Sequence, residues 1–410
     1  MKILIHGINF SPELTGIGKY SGEMAAWLGA RGHEVRVVTA PPYYPQWRIA
    51  EGHANRWGRE RCGNLRVYRC PLWVPARPSG LKRLLHLASF AVSSFPVMLG
   101  QCFWRPDWVM VVEPPLMCAP QALLTAGLGG ARAWLHVQDF EVDAAFGLGV
   151  IRAGWLRKFA SGIEQWLMRR FDRVSTISPR MLEKLHDKKV EHGVLFPNWV
   201  DTEAIFPLDV PSPLRAELGI ADDRIVALYS GNMGEKQGIE VVLDAARDLA
   251  HRADIQFVLC GEGAAKARLR DRYGESPNVI WLPLQPVERL NDLLNMADIH
   301  LLPQRADAAD LVMPSRLTGM LASGRPVVAT AYSGTQIAET VRHCGIVTVP
   351  GDANDLVQAV MKLADDGAMR SALGTRARTW AIENLERNTV LEKFEADLLG
   401  STVNPGSIRP

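Results

Sequence analysis

The sequence predicts an α/β protein made of two doubly wound domains in one chain. Three observations carry that expectation. The chain has 410 residues, too many for one ordinary core and enough for about two domains of roughly 200 residues. Short apolar runs alternate with longer amphipathic stretches along the chain. Glycine-rich or polar turns recur where the apolar runs end. Hydrophobic content is 47% and charged content 22%, an ordinary globular balance that can bury two cores.

The elements follow in order. Residues 2–7, 34–39, 108–112 and 133–137 are apolar runs of the kind buried in parallel sheets. Residues 172–177 and 193–196 add two more strands. Helical periodicity runs over 20–30, 81–99, 155–170 and 179–186. The proline-rich stretch from Phe196 to Pro207, with Pro211 and Pro213 after it, breaks the pattern and is expected to be the crossing between domains. A second series then starts, with strands at 225–229, 255–260, 279–282, 299–302, 327–330 and 345–349 and helical patterns between them. Residues 352–363, 368–380 and 389–399 read as three terminal helices, the last folding back on the first domain. We expect a first domain over 1–200, a second over 201–385, a returning helix over 386–400 and a disordered polar tail over 401–410.

Composition bounds the function. A net charge of +2 argues against a nucleic-acid footprint. The six cysteines show no CxxC pair and no metal spacing, which suits reduced thiols in a cytoplasmic protein. Residues 2–6 already read as a strand, so we expect no cleavable signal peptide. Residues 84–103 are apolar and long enough to span a bilayer, but His86, Ser89, Ser93, Ser94, Pro96 and Gln101 interrupt them. Arg77, Lys82 and Arg83 precede them. This pattern suits a helix lying in the interface of an anionic membrane. A helix packed on its own sheet accounts for it equally well.

Five stretches can carry chemistry. The run 225–229 leads into Ser230-Gly231-Asn232-Met233-Gly234-Glu235-Lys236-Gln237-Gly238 and then an amphipathic helix. Amides of such a loop and the positive end of its helix favour an anion, and Lys236 adds a full charge. A tight strand–helix connection without ligand accounts for the same glycines. The loop Gly16-Ile17-Gly18 opens the first helix in a similar way. It lies several residues past the strand, and the second strand ends without an acidic residue, so a nicotinamide dinucleotide site is disfavoured. His136, Asp139, Glu141 and Asp143 gather at the carboxyl end of a buried strand, the edge where parallel sheets bind ligands. Their spacing matches no metal motif. Gly261-Glu262-Gly263 sits at another strand end. Finally, a polar loop runs into a helix starting near Pro314, whose first amides at Ser315 and whose Arg316, like Arg305 before it, suit a phosphate.

Together these stretches resemble the retaining, nucleotide-sugar-dependent glycosyltransferases of family 4. The carrying residues are Gly16-Ile17-Gly18, His136, Thr176-Ile177-Ser178, the 197–201 crossing, the 230–238 loop, Gly261-Glu262-Gly263 and Pro314-Ser315-Arg316-Leu317. The similarity is strongest to the exopolysaccharide branch that builds colanic acid, where a fucosyltransferase assignment is common. The resemblance implies a GT-B fold of two facing Rossmann-like domains. It implies a nucleotide diphosphate sugar donor, with GDP or UDP as the nucleotide. It also implies a lipid-linked saccharide acceptor at the inner face of the cytoplasmic membrane, and no cofactor or metal ion. On this reading Gly16, Ile17, Gly18, Gly231, Asn232, Gly234, Glu235, Gln237, Gly261, Pro314, Ser315 and Arg316 hold the donor. His136, Asp139 and Lys236 are catalytic, with His136 and Asp139 orienting the sugars. Two features depart from the family. Its basic pair in the second-domain loop falls on Asn232 and Gln237, leaving Lys236 one residue out of register. Its pair of glutamates falls on Leu311 and Gly319, so carboxylate contacts cannot be carried over, and Asp307, Asp310 or Glu235 are the available substitutes. A sugar-nucleotide 2-epimerase of the same fold and a non-catalytic nucleotide-sugar scaffold are the rival readings.

Overall fold

The computed structural model describes residues 1–13, 16–76, 80–143, 154–234, 237–305 and 314–400. Glu235, Lys236, Asp307, Asp310, Leu311 and the 401–410 tail lie outside the described residues. The chain forms two compact units, one of Met1–Pro197 with the segment from Leu391 onward, the other of Asn198–Val390.

The first unit holds an eight-stranded sheet in the order β3-β4-β2-β1-β5-β6-β7-β8. Its strands are β1 (Lys2–His6), β2 (Glu34–Thr39), β3 (Gly58–Cys62), β4 (Leu65–Arg69), β5 (Trp108–Glu113), β6 (Arg132–Val137), β7 (Arg173–Thr176) and β8 (Gly193–Leu195). All neighbours pair in parallel except β3 with β4. The apolar runs at β1, β5 and β6 are buried almost throughout, as parallel strands covered on both faces require. The β3–β4 hairpin is an addition to the elements read from sequence. Every residue of β3 is exposed, so it carries no apolar signal and serves to cap the sheet edge. The Ala119–Gly129 helix is a second addition.

The second unit is a six-stranded parallel sheet ordered β11-β10-β9-β12-β13-β14. It comprises β9 (Ile225–Ser230), β10 (Ile255–Cys260), β11 (Val279–Leu282), β12 (Ile299–Leu302), β13 (Val327–Thr330) and β14 (Gly345–Thr348). Its core packs Tyr229, Phe257, Leu259 and Leu301 against the Ile239–Asp248 and Ala353–Asp365 helices.

The Arg387–Leu399 helix ends the described chain on the first unit. Phe394 stacks on Phe196 at 4.4 Å and meets Trp134 edge-on at 5.0 Å. The Trp108 indole donates to Leu398 O (2.9 Å), and Glu395 accepts from Arg31.

The Gly80–Gln101 helix is half inside. Three of the polar residues that interrupt the apolar run, His86, Ser94 and Gln101, are buried: Ser94 Oγ lies 3.1 Å from His6 Nε2 and accepts from Gln121 Nε2 (3.2 Å). His86 Nδ1 lies 2.6 Å from Trp73 O. Leu81, Leu85, Val92 and Phe95 remain exposed, Val92 at 74%. By length and composition this is the one helix among the described residues that is long and apolar enough to cross a membrane.

Candidate active site

Doubly wound sheets bind ligands beyond the carboxyl ends of their strands, where the strand order reverses. In the second sheet that point lies between β9 and β12, since the chain moves outward to β10 on one side and β13 on the other. Of the described residues singled out in this half, Arg316 and Gly231 meet there. Arg316 Nη1 donates to Tyr229 Oη at the end of β9 (3.0 Å), and Nη2 donates to Pro303 O after β12 (3.3 Å). The guanidinium lies over the Tyr229 ring at 5.1 Å, and a Cβ placed on Gly231 would stand 3.2 Å from Arg316 Nη1. One fixed cation thus bridges the reversal beneath the glycine loop. Burial raises the Tyr229 phenol pKa, so the hydroxyl stays a donor, and it gives its hydrogen to Asn232 O (2.6 Å).

The neighbouring loops lock together by backbone contact. Gly231 N donates to Cys260 O (3.0 Å) and Met233 N to Glu262 O (2.8 Å). Gly261 has φ +151°, and a Cβ there would meet Gly231 O at 1.9 Å. On Gly263 it would meet Met233 O at 2.4 Å. These two glycines are therefore required by the chain itself. Gly234 is open by comparison, with its nearest neighbour Asn232 Nδ2 at 3.5 Å, and its carbonyl accepts from Gln237 N (3.0 Å). Asn232 and Ser315 are exposed. The last helix of the site begins at Ser315, with Pro314 as its cap rather than inside its first turn. Its leading amides lack intrahelical partners and suit an anion. Sequence reasoning missed Lys266, whose Nζ donates to Gly261 O (2.9 Å) and Glu262 Oε1 (2.6 Å). The i,i+4 spacing from Glu262 was its only local signal. A Cβ on Gly319 would stand 3.2 Å from Leu294 Cδ1, so a larger side chain there would require Leu294 to shift.

In the first sheet the order reverses between β1 and β5. Gly16 (φ +61°) starts the first helix. Gly18 lies against Glu13, whose Oε2 would be 2.5 Å from an added Cβ. Glu13 in turn accepts from Tyr43 N and Tyr44 N (both 3.0 Å) and from Asn9 Nδ2 (2.9 Å). The chain supplies its own carboxylate at this helix start. Ile17 and Gly16 are left at the half-buried rim.

His136 is 4% exposed. Trp134 Nε1 donates to Ser175 Oγ (2.8 Å), His136 Nδ1 lies 2.8 Å from the same oxygen, and Gln138 Nε2 lies 2.9 Å from His136 Nε2. An amide that donates to Nε2 leaves the ring proton on Nδ1. Burial pushes the imidazole pKa down to about 3, so the ring is neutral. Asp139 is half-buried. Asp143 pairs with Lys184 (2.7 Å) and Lys188 (3.1 Å), and these cations hold its pKa down against the opposing effect of burial. Glu141 accepts from Leu116 N (2.5 Å), and burial raises it to about 7. Glu113, the last residue of β5, is completely buried. Neither carboxyl oxygen has a hydrogen-bond partner among the described residues, and burial raises its pKa well above the usual range.

Two doubly wound units, each with candidate loops at the carboxyl edge of its sheet, have the layout of the GT-B class, and comparison with known proteins identifies the family. Residues 15–199 match the glycosyl transferase 4-like domain family, and residues 212–380 match the glycosyl transferases group 1 family. The chain is 44% identical over 98% of its length to WcaI of Escherichia coli strain K12, provisionally assigned as a colanic acid biosynthesis glycosyl transferase, and covers 100% of that protein. It is 22% identical to the N-acetyl-alpha-D-glucosaminyl L-malate synthase of Bacillus anthracis, over 96% of both chains. Among solved structures, sucrose-phosphate synthase from Thermosynechococcus elongatus superposes with a TM-score of 0.76 at 17% identity, covering 98% of this chain and 100% of that one. HepE of Anabaena in complex with UDP-glucose superposes at 0.70 and 16% identity, with the same coverage. The chain belongs to the family 4 glycosyltransferases and is a glycosyltransferase.

Proposed function

We propose that this enzyme moves a sugar, with retention, from a nucleotide diphosphate sugar to a lipid-linked saccharide during synthesis of a colanic-acid-type exopolysaccharide. The observation that carries the donor reading is Arg316 fixed across the β9–β12 reversal beside Gly231. The end-to-end similarity to WcaI supports the pathway class, and UDP-glucose on HepE supports the donor class. Charge leaving with the nucleotide diphosphate is stabilised by preorganised donors. We assign this to Arg316, the Gly234 and Ser315 amides, and Lys236, without a metal ion or cofactor. The departing phosphate assists front-face attack. Asp139 orients the sugars, and neutral His136 acts as a positioning residue that steadies Gln138 and the turn beyond it.

We place the enzyme at the inner face of the cytoplasmic membrane as a peripheral protein. The exposed Leu81, Leu85, Val92 and Phe95 support this. So do Trp155 and Phe159, which share the Gly154–Met168 helix with exposed Lys158. Pelleting with phosphatidylglycerol vesicles is expected, and its failure would remove this part of the proposal.

Thermal unfolding with GDP, UDP and NAD, each at about a hundred times its dissociation constant, tests the donor reading. The true nucleotide adds about 2.7 kcal/mol of stability. A shift with GDP alone or UDP alone names the base. A shift with NAD alone, or none at all, overturns the reading. Product analysis with and without acceptor then separates transfer from epimerisation.

A further inference from the structure

The proposed donor loops lie at one edge of the second sheet, and the opposite edge carries a cavity lined by arginines. Asp298 and Pro326 immediately precede β12 and β13 and so mark the amino edge. A cavity of about 470 Å³ lies there, between the 324–326 turn and the Gly367–Leu385 helix. At about 3.3 Å per strand residue, the length of β12 separates it from Pro303 by about 16 Å.

Three guanidiniums, those of Arg325, Arg370 and Arg378, line this cavity against the single carboxylate of Asp298. Asp298 is already engaged, with Oδ2 accepting from Arg215 Nη2 and from Val226 N (2.8 Å). Arg370 donates to Ala364 O (2.8 Å). Arg378 donates to Ile205 O (2.7 Å), Ala322 O (2.8 Å) and Thr202 O (2.9 Å). Carbonyls fix these side chains but leave their charges uncompensated. Arg325 has less: its Nε is buried with no hydrogen-bond partner among the described residues. Burial lowers its pKa, Asp298 offsets this only in part and Arg215 adds to it, a cost that an arriving anion relieves. Across the cavity, Ser371 and Thr375 stand one helical turn apart and are exposed. The turn is packed tightly on the helix, since a Cβ on Gly374 would meet Gly324 O at 2.2 Å. The basic wall is therefore built in place.

We propose that this cavity binds a small phosphorylated metabolite, with the phosphate against Arg325 and Arg370 and a hydroxyl-bearing body along Ser371 and Thr375. Guanidinium forks match phosphate oxygens in geometry and charge. The volume lies within the range of small-molecule sites and exceeds what one inorganic anion fills.

Isothermal titration of the full chain with glucose 6-phosphate, and separately with inorganic phosphate, tests the proposal. One site per chain is expected, with the sugar phosphate binding more tightly. Arg325→Gln should weaken it at least about tenfold, and Arg325→Lys should fall between. Ser371→Leu, at an exposed helix position, should weaken it too and carries the test if Arg325→Gln does not fold. Arg316→Gln should bind as the wild type does. Three results overturn the proposal: no saturable heat with either ligand, equal binding by wild type and both cavity variants, or loss in Arg316→Gln. The last would put the phosphate on the donor edge. Because the probe contains no nucleotide, failure here leaves the donor reading standing, and failure of the nucleotide shifts leaves this one standing.

Discussion

Replacing Arg316 with glutamine separates its structural part from its chemical part. The side chain makes two hydrogen bonds to uncharged oxygens, Tyr229 Oη at 3.0 Å and Pro303 O at 3.3 Å. Such bonds contribute about 1 kcal/mol each, net of water. Tyr229 keeps its bond to Asn232 O, and Arg316 Nε, buried without a hydrogen-bond partner among the described residues, disappears with the substitution. The expected stability loss is therefore about 1–2 kcal/mol. The chemical part is larger. A unit charge about 5 Å from the departing phosphate, at an effective dielectric near 20, is worth about 3 kcal/mol, or about a hundredfold in rate. Urea unfolding should show the small loss, and kcat/KM for donor-dependent transfer should show the large one. Arg316→Lys keeps the charge without the fork and should fall between. If Arg316→Gln folds and transfers sugar at the wild-type rate, the cation at the sheet reversal does not serve the donor, and the assignment fails.

Three further outcomes follow from the geometry. Glu141 titrates at about 7 against an ordinary 4.5, so the folded chain holds a proton there that the unfolded chain has lost, and its contribution falls as pH rises from 4.5 through 7. Glu141→Gln should raise unfolding free energy at pH 8 by up to about 3 kcal/mol and change little near pH 4.5; equal gains at both values would contradict this. Lys188 is nearly buried and pairs with the fully buried Glu164, so Lys188→Met should cost about 3–5 kcal/mol in urea unfolding, and a cost below about 1 kcal/mol would show Glu164 to be protonated and indifferent to its partner. Gly261→Ala should destabilise by about 3 kcal/mol or more and abolish nucleotide-induced thermal shifts, because its Cβ would stand 1.9 Å from Gly231 O. Gly234→Ala should stay within about 1 kcal/mol, and matched losses for the two variants would refute the backbone-contact argument.

The strands were legible because parallel strands covered on both faces leave unbroken apolar runs. Residues 255–260, 279–282, 299–302 and 327–330 coincide with β10 to β13. The β3–β4 hairpin was not legible, since Gly-Arg-Glu-Arg-Cys at 58–62 is exposed on both faces and repeats no pattern. The Ala119–Gly129 helix is rich in small residues and buries too little per position to mark a face. The first helix begins at Gly16 rather than residue 20, because its glycines read locally as loop.

The geometry of the candidate site was not legible in the sequence, although several of its residue types were. Arg316 was a candidate from its place after Pro314, yet its partner Tyr229 lies 87 residues away, a separation no local pattern reports. Glycines show the same limit more sharply. Gly18, Gly231, Gly234 and Gly261 all read as places where a phosphate could approach the backbone. Three-dimensional packing divides them: Gly18 yields to Glu13 of its own loop, and Gly261 yields to the carbonyl of Gly231. Gly231 lies against Arg316, while Gly234 has no such claim upon it. A glycine demanded by the chain and one left open for a ligand look alike in sequence, because both are defined by what is absent. On the proposed donor reading, Gly234 and the exposed Asn232 are where an incoming diphosphate meets the least resistance. Gly261 fixes the 231–233 loop beside the Arg316 guanidinium, and on the proposed donor reading such preorganisation makes fixed donors effective in a transition state.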